Sequence, residues 1–120
     1  MAEFNEFEEL RVRAVAKYIP ISPQKARLVA NELRGMRAQD ALEMLHFMPQ
    51  RAARPIAKVL ASAIANADNN EGLDVEALYI TRITVDEGPR RRWRRFGARG
   101  RFKPIIRRSC HVTVELEERA

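Results

Sequence analysis

Arginine forks grip phosphate and aromatic rings stack on bases, and one stretch of this chain is crowded with both. Residues 90–108 read RRRWRRFGARGRFKPIIRR: nine arginines, one lysine, three aromatics and no carboxylate. A guanidinium pairs with two phosphate oxygens at once and also lies flat on a base, whereas lysine offers a point charge. Arg90, Arg91, Arg92, Arg94, Arg95, Arg99, Arg101, Lys103, Arg107 and Arg108 are therefore candidate phosphate ligands. Trp93, Phe96 and Phe102 are candidate base-stacking groups. Aromatics spaced in this way can also pair across a hairpin and stiffen it, and the two roles are compatible. A merely solvated face mixes its charge signs, and this stretch carries one sign only.

The charge is local. The chain has 22 basic and 16 acidic residues in 120, but the 19-residue stretch holds ten of the bases, which leaves 12 against 16 elsewhere. A slightly acidic domain with an intensely basic insert points to a polyanion, nucleic acid before an anionic membrane. A single cysteine, Cys110, excludes an internal disulfide and suits a reducing compartment. The opening MAEFNEFEEL is acidic, unlike a signal or transit peptide, and no apolar run approaches the roughly 18 residues of a membrane span.

Other chemistry lacks its residues. His46 and His111 have no cysteine or acidic partner at ligand spacing, so both read as structural. Cys110 falls on the apolar face of a strand pattern, the setting of an inert thiol. Asp68, Glu71, Asp74 and Glu76 sit in a turn region rather than on one rigid face, which favours a solvated acidic surface over a metal site. With no phosphate-loop signature and no nucleophile elbow, neither an enzyme, a cofactor nor a metal is expected.

Periodicity supplies the elements that must carry the insert. Leu10, Val12, Ala14 and Ala16 alternate with Arg11, Arg13, Val15 and Lys17, a half-buried strand with a basic outer side. Over ISPQKARLVANELRG, Ser22 suits an N-cap, Pro23 the first helical position and Gly35 the left-handed C′ position. Ala26, Val29, Ala30 and Leu33 form the buried stripe of that helix, leaving Arg27 and Arg34 to face solvent or a partner. A short helix spans Asp40 to Phe47 with Ala41, Leu42 and Leu45 inward. A longer one runs from Gln50 to Asn69 on Ile56, Val59, Leu60, Ala63, Ile64 and Ala67. Pro55 requires that its regular part begin close by or kink. Leu78 to Val85 and Cys110 to Leu116 read as strands. Ile80 and Ile83 are out of phase, which predicts a bulge or burial on both faces. The fold class is α+β: three helices on a small three-stranded antiparallel sheet with a long protruding β-hairpin, in one domain.

The insert is the far end of that hairpin, 85–112. With Val85 opposite Val112, the chain reverses at Ala98–Arg99, between glycines that can adopt positive φ. A two-stranded ribbon is marginal alone, and this one repels itself, so an anionic surface is expected to order it.

SPQKARLVANELRG, KVLASAIANADNN, ITVDEGP, ARGR and RRSCHVTV occur in this order. The series resembles the bacterial large-subunit ribosomal protein twenty-two family, from about Ala14 to Leu116. That resemblance implies a structural constituent of the large subunit that binds 23S rRNA and supports assembly in the cytoplasm. It also implies a hairpin that lines the peptide exit tunnel, near a constriction shared with ribosomal protein four, where changes affect macrolide sensitivity. By position the tip is Gly97, Ala98, Arg99, Gly100 and Arg101. Phe96 and Gly97 stand where the family commonly has proline and arginine. Implied partners are 23S rRNA, neighbouring large-subunit proteins and the nascent peptide, with no membrane and no homo-oligomer. On the globular part, Arg11, Arg13, Lys17, Lys25, Arg27, Arg34, Arg51, Arg54, Lys58 and Arg82 are expected to add RNA contacts. Two other readings stay open on residues alone. A free nucleic-acid regulator or chaperone would use the same arm, and a metal-dependent nuclease would need Asp68 and Asp74.

Overall fold

A computed structural model describes residues 11–96 and 102–119, with backbone alone over 91–96 and 102–107. The chain runs β1 (Arg11–Ile19), α1 (Pro23–Leu33), α2 (Ala38–Phe47), α3 (Ala53–Asn69), a 3-10 turn (Val75–Ala77), β2 (Leu78–Glu87), β3 (Arg91–Phe96), β4 (Phe102–Arg107) and β5 (Cys110–Glu118). In the antiparallel sheet β1–β5–β2 the last strand lies in the middle. The helices cover one face. Val12, Ala14, Ile83, Val85, Val112, Val114 and Leu116 meet Ala26, Val29, Leu33, Ile56, Leu60 and Ala63 in one buried cluster. This is the α+β arrangement expected from the alternating and 3.6-period patterns.

Pro55 is the third residue of α3. The first four amides of a helix have no partner within it, so a proline there forfeits no hydrogen bond. Gly35, just past α1, has φ of 79° and donates to the Ile80 carbonyl at 3.0 Å. The expected Ser22 cap does not form: Ser22 takes the cap position, but its side chain makes no cap bond. The phase break in β2 is a register shift between Ile80 and Arg82. It keeps Ile80 and Ile83 both inside, and the Thr81 hydroxyl between them donates to the Glu115 carbonyl at 3.2 Å.

Val85 does pair with Val112, and the register continues to Glu87 and Cys110. It then changes. β3 pairs with β4 from Arg91–Arg107 to Phe96–Phe102, so 88–90 on the outgoing arm oppose only 108–109 on the return. The outer arms are thus one residue out of step with the Val85–Val112 register. The predicted tip, 97–101, lies outside the described residues.

The junction is tightly knit. Gly88 donates its N–H to the Ser109 carbonyl at 2.9 Å, and the Ser109 hydroxyl donates to the Pro89 carbonyl at 2.8 Å. A Cβ on Gly88 would run into the Ser109 hydroxyl and come within 3.2 Å of its carbonyl carbon. Gly88→Ala is therefore expected to lower unfolding stability by about 1–3 kcal/mol, the usual cost of overpacking. Adding Ser109→Ala is expected to return part of that loss. Denaturant titration of the three variants checks both, and an unaltered midpoint in Gly88→Ala would show that the junction opens freely.

Candidate nucleic-acid interface

All of the candidate cations with described side chains are exposed: Arg11, Arg13, Lys17, Lys25, Arg27, Arg34, Arg51, Arg54, Lys58, Arg82, Arg90 and Arg108. They are not equally available. Arg27 donates through Nε and Nη2 to the Val85 carbonyl at 3.2 and 3.0 Å. Arg34 donates to the Ile83 carbonyl at 2.9 Å. Both stay exposed, as expected, but each also binds the sheet. α1 lies along the outer edge of β2, and its arginines occupy acceptors that an edge strand leaves open. The Ile80 N–H continues the cover by donating to the Met36 carbonyl at 2.9 Å. Part of each guanidinium is thus structural.

Arg11 has Glu117 at 3.8 Å, and Arg90 pairs with Glu87 at 3.0 Å. The Arg90 hydrogen bond and charge hold the Glu87 carboxyl below its ordinary range, so this acid stays ionised beside the finger. Burial pushes the Cys110 thiol up, which keeps it protonated and a poor nucleophile. His111 accepts the Tyr18 N–H on Nδ1 at 3.0 Å. The Asp74 carboxylate caps its own turn by accepting the Glu76 N–H at 3.1 Å, and the Asp74 N–H donates to Glu118. Among the described residues, no three of His, Cys, Asp and Glu come together to hold a metal, and no helix is long and apolar enough to cross a membrane.

The remaining cations converge. A groove between β1 and α3, about 510 Å³, is lined by Arg13, Pro55, Lys58 and Ser62. Another between α2 and α3, about 900 Å³, has His46, Arg51, Arg54 and Lys58. A hollow of about 400 Å³ is formed by Pro20, Ile21, Lys25, Leu28 and Arg51. Lys58 belongs to the first two and Arg51 to the last two, so the three join into one belt. No carboxylate lines any of them. Each of these cations is visible singly in the sequence; their junctions arise from packing, because Arg54 and Lys58 sit one turn apart on α3 while Arg13 and Lys25 come from β1 and α1.

In the finger, register places Arg91 opposite Arg107 and Arg95 opposite Lys103. Like charges directly opposite one another destabilise a ladder. Phe96–Phe102 and Trp93–Ile105 are the apolar pairs of the register. A ribbon whose register sets like charges opposite one another is joined to a body with a cationic belt that no carboxylate lines.

Comparison with known proteins gives the family. The family model described as Ribosomal protein L22p/L17e matches residues 14–117. Proteins called large ribosomal subunit protein uL22 align over most of the chain. One from a Thermotoga species is 47% identical over 114 residues, 93% of this chain and 70% of its own length. That of Pseudothermotoga lettingae is 49% identical over 110 residues, 90% of this chain and 78% of its own. That of Syntrophobacter fumaroxidans is 47% identical over 111 residues, 92% of this chain and all of its own. The chain belongs to the ribosomal protein L22p/L17e family. Membership makes it a structural protein of the large ribosomal subunit, in the cytoplasm, and not an enzyme.

Proposed function

We propose that this protein binds 23S rRNA with its basic finger and its cationic belt, supports assembly of the large subunit, and lines the peptide exit tunnel with the hairpin tip, 97–101. The observation that carries the reading is the belt: three concave regions joined through Lys58 and Arg51 without one lining carboxylate. A shape-following cationic surface suits folded RNA, whose phosphates crowd from several directions. The finger adds the complementary half. Its opposed cations, Arg91–Arg107 and Arg95–Lys103, lose their mutual repulsion when phosphates neutralise them. Neighbouring subunit proteins and the nascent peptide are the further partners of a protein so placed.

Sedimentation tests the reading. Tagged protein is expected to migrate with large subunits on a sucrose gradient and stay there at moderate salt. Protein found mainly at the top of the gradient would favour a free nucleic-acid regulator instead. Amide exchange gives a second measurement. In free protein, β3 and β4 are expected to exchange faster than β5, which is paired on both sides in the sheet core. Binding to 23S rRNA is expected to slow them. Equal protection of β3, β4 and β5 without RNA would overturn the view that phosphate stabilises the finger.

A further inference from the structure

We propose that the ring of Tyr18 is a stacking platform for one unpaired nucleotide of the bound RNA, an assignment that rests on the RNA-binding reading above. Tyr18 is the one non-glycine among the described residues with positive φ, at 61°. A bulky aromatic in this backbone region is an outlier, and glycine or asparagine takes it at less cost. The turn itself has a structural reason. The β1–β5 register shifts between Ala16 and Ile19, which lets Ile19 pair with Cys110 and stay buried. That explains a left-handed residue here, but not a tyrosine: the side chain remains 66% exposed and adds little to the core.

The residue is nonetheless held firmly. Its N–H donates to His111 Nδ1 at 3.0 Å, and the two rings meet 5.0 Å apart at 87°. A perpendicular contact covers at most one face of the phenol ring, so at least one flat face is left clear of the imidazole. Backbone strain retained to fix an exposed aromatic marks a contact surface. Its place in the chain indicates the ligand. Ile19, the next residue, lines the groove that contains Arg13 and Lys58. Pro20, one further, lines the hollow that contains Lys25 and Arg51. Tyr18 lines neither concavity itself; it stands in the chain one and two residues before them, next to the exposed Lys17. A phosphate next to a stacked base would find cations within a few residues of Tyr18 in the chain. The base must be unpaired, because bases inside a duplex present no free face.

The test uses the full-length protein and a 23S rRNA transcript, titrated at several salt concentrations. Tyr18→Leu and Tyr18→Gly are expected to weaken binding by about 5- to 100-fold, the range of one base–aromatic stack, with an unchanged salt slope. Tyr18→Phe is expected to bind like wild type. Tyr18→Gly suits the left-handed backbone, so its thermal midpoint is expected to match or exceed wild type even as affinity falls, which separates recognition from folding. Binding of Tyr18→Gly within twofold of wild type would overturn the proposal while leaving the RNA reading intact. A loss accompanied by a shallower salt slope would overturn it too, by assigning the effect to phosphate contacts. Absence of salt-dependent binding by wild type would overturn both.

Discussion

Alanine at Arg91, Arg92 and Arg94 together is expected to flatten the salt dependence of binding to 23S rRNA by about 2–3 units of log K per log salt. Each phosphate contact contributes roughly 0.7–0.9 units through the counterions it releases. These three are chosen over the nearer Arg90 because Arg90 is already paired with Glu87 at 3.0 Å. A cation held by a carboxylate has less to offer a phosphate, so Arg90→Ala alone is expected to alter the slope less than Arg92→Ala alone. The triple variant is also expected to fold normally, since β3 pairs only with β4 and lies outside the β1–β5–β2 sheet. Removing Arg91 even relieves its opposition to Arg107. Binding measured from about 50 to 200 mM salt, the range over which multi-phosphate binders weaken by orders of magnitude, gives the slope directly. An unaltered slope in the triple variant would show that the finger's outgoing arm does not contact phosphate.

The second large effect is on stability. Leu60 is fully buried in the middle of α3, against the sheet. Leu60→Ala is expected to cost about 2–5 kcal/mol, through lost transfer energy and the cavity left behind. Against a total of about 5–15 kcal/mol for an ordinary domain, that is a large share. Leu28 offers the control. It lies on α1 but is 66% exposed, so Leu28→Ala is expected to stay within about 0.5 kcal/mol. Urea titration is expected to show a lower midpoint and an unchanged slope for Leu60→Ala. A midpoint equal to that of Leu28→Ala would mean that α3 does not seal the core.

Much of this was legible beforehand. The buried stripes of α1 and α3 follow from apolar residues three and four apart, and the alternation of β5 from period two. Both are properties of a backbone geometry that repeats every few residues. That β2 and β5 pair could be read because strands on either side of the insert must meet in a hairpin; the Val85–Val112 register was one choice among neighbouring ones, and the structure has it. The bulge in β2 could be read because Ile80 and Ile83 cannot share one face of a regular strand.

Other features were out of reach for equally physical reasons. That Arg27 and Arg34 bind carbonyls of β2 depends on α1 lying along that strand's outer edge, 58 and 49 residues away in the chain. The extra residue at 88–90 depends on how closely Gly88 and Ser109 approach. The positive φ of Tyr18 follows from the need to return Ile19 to the core beside Cys110, and nothing in the types of neighbouring residues announces it.

The division is between local and distant causes. Sequence alone determined the class of chain: amphipathic helices and alternating strands around a small core, a hairpin of overwhelming positive charge, and motifs in the order of a ribosomal protein family. Each depends on residue type and short-range spacing, which survive any later packing. Tertiary structure decided which cations are free and which are committed to a strand edge, how grooves from three elements merge through Lys58 and Arg51, and where the finger leaves the sheet. Those depend on which surfaces come within a few ångströms of each other, and only the folded chain sets that.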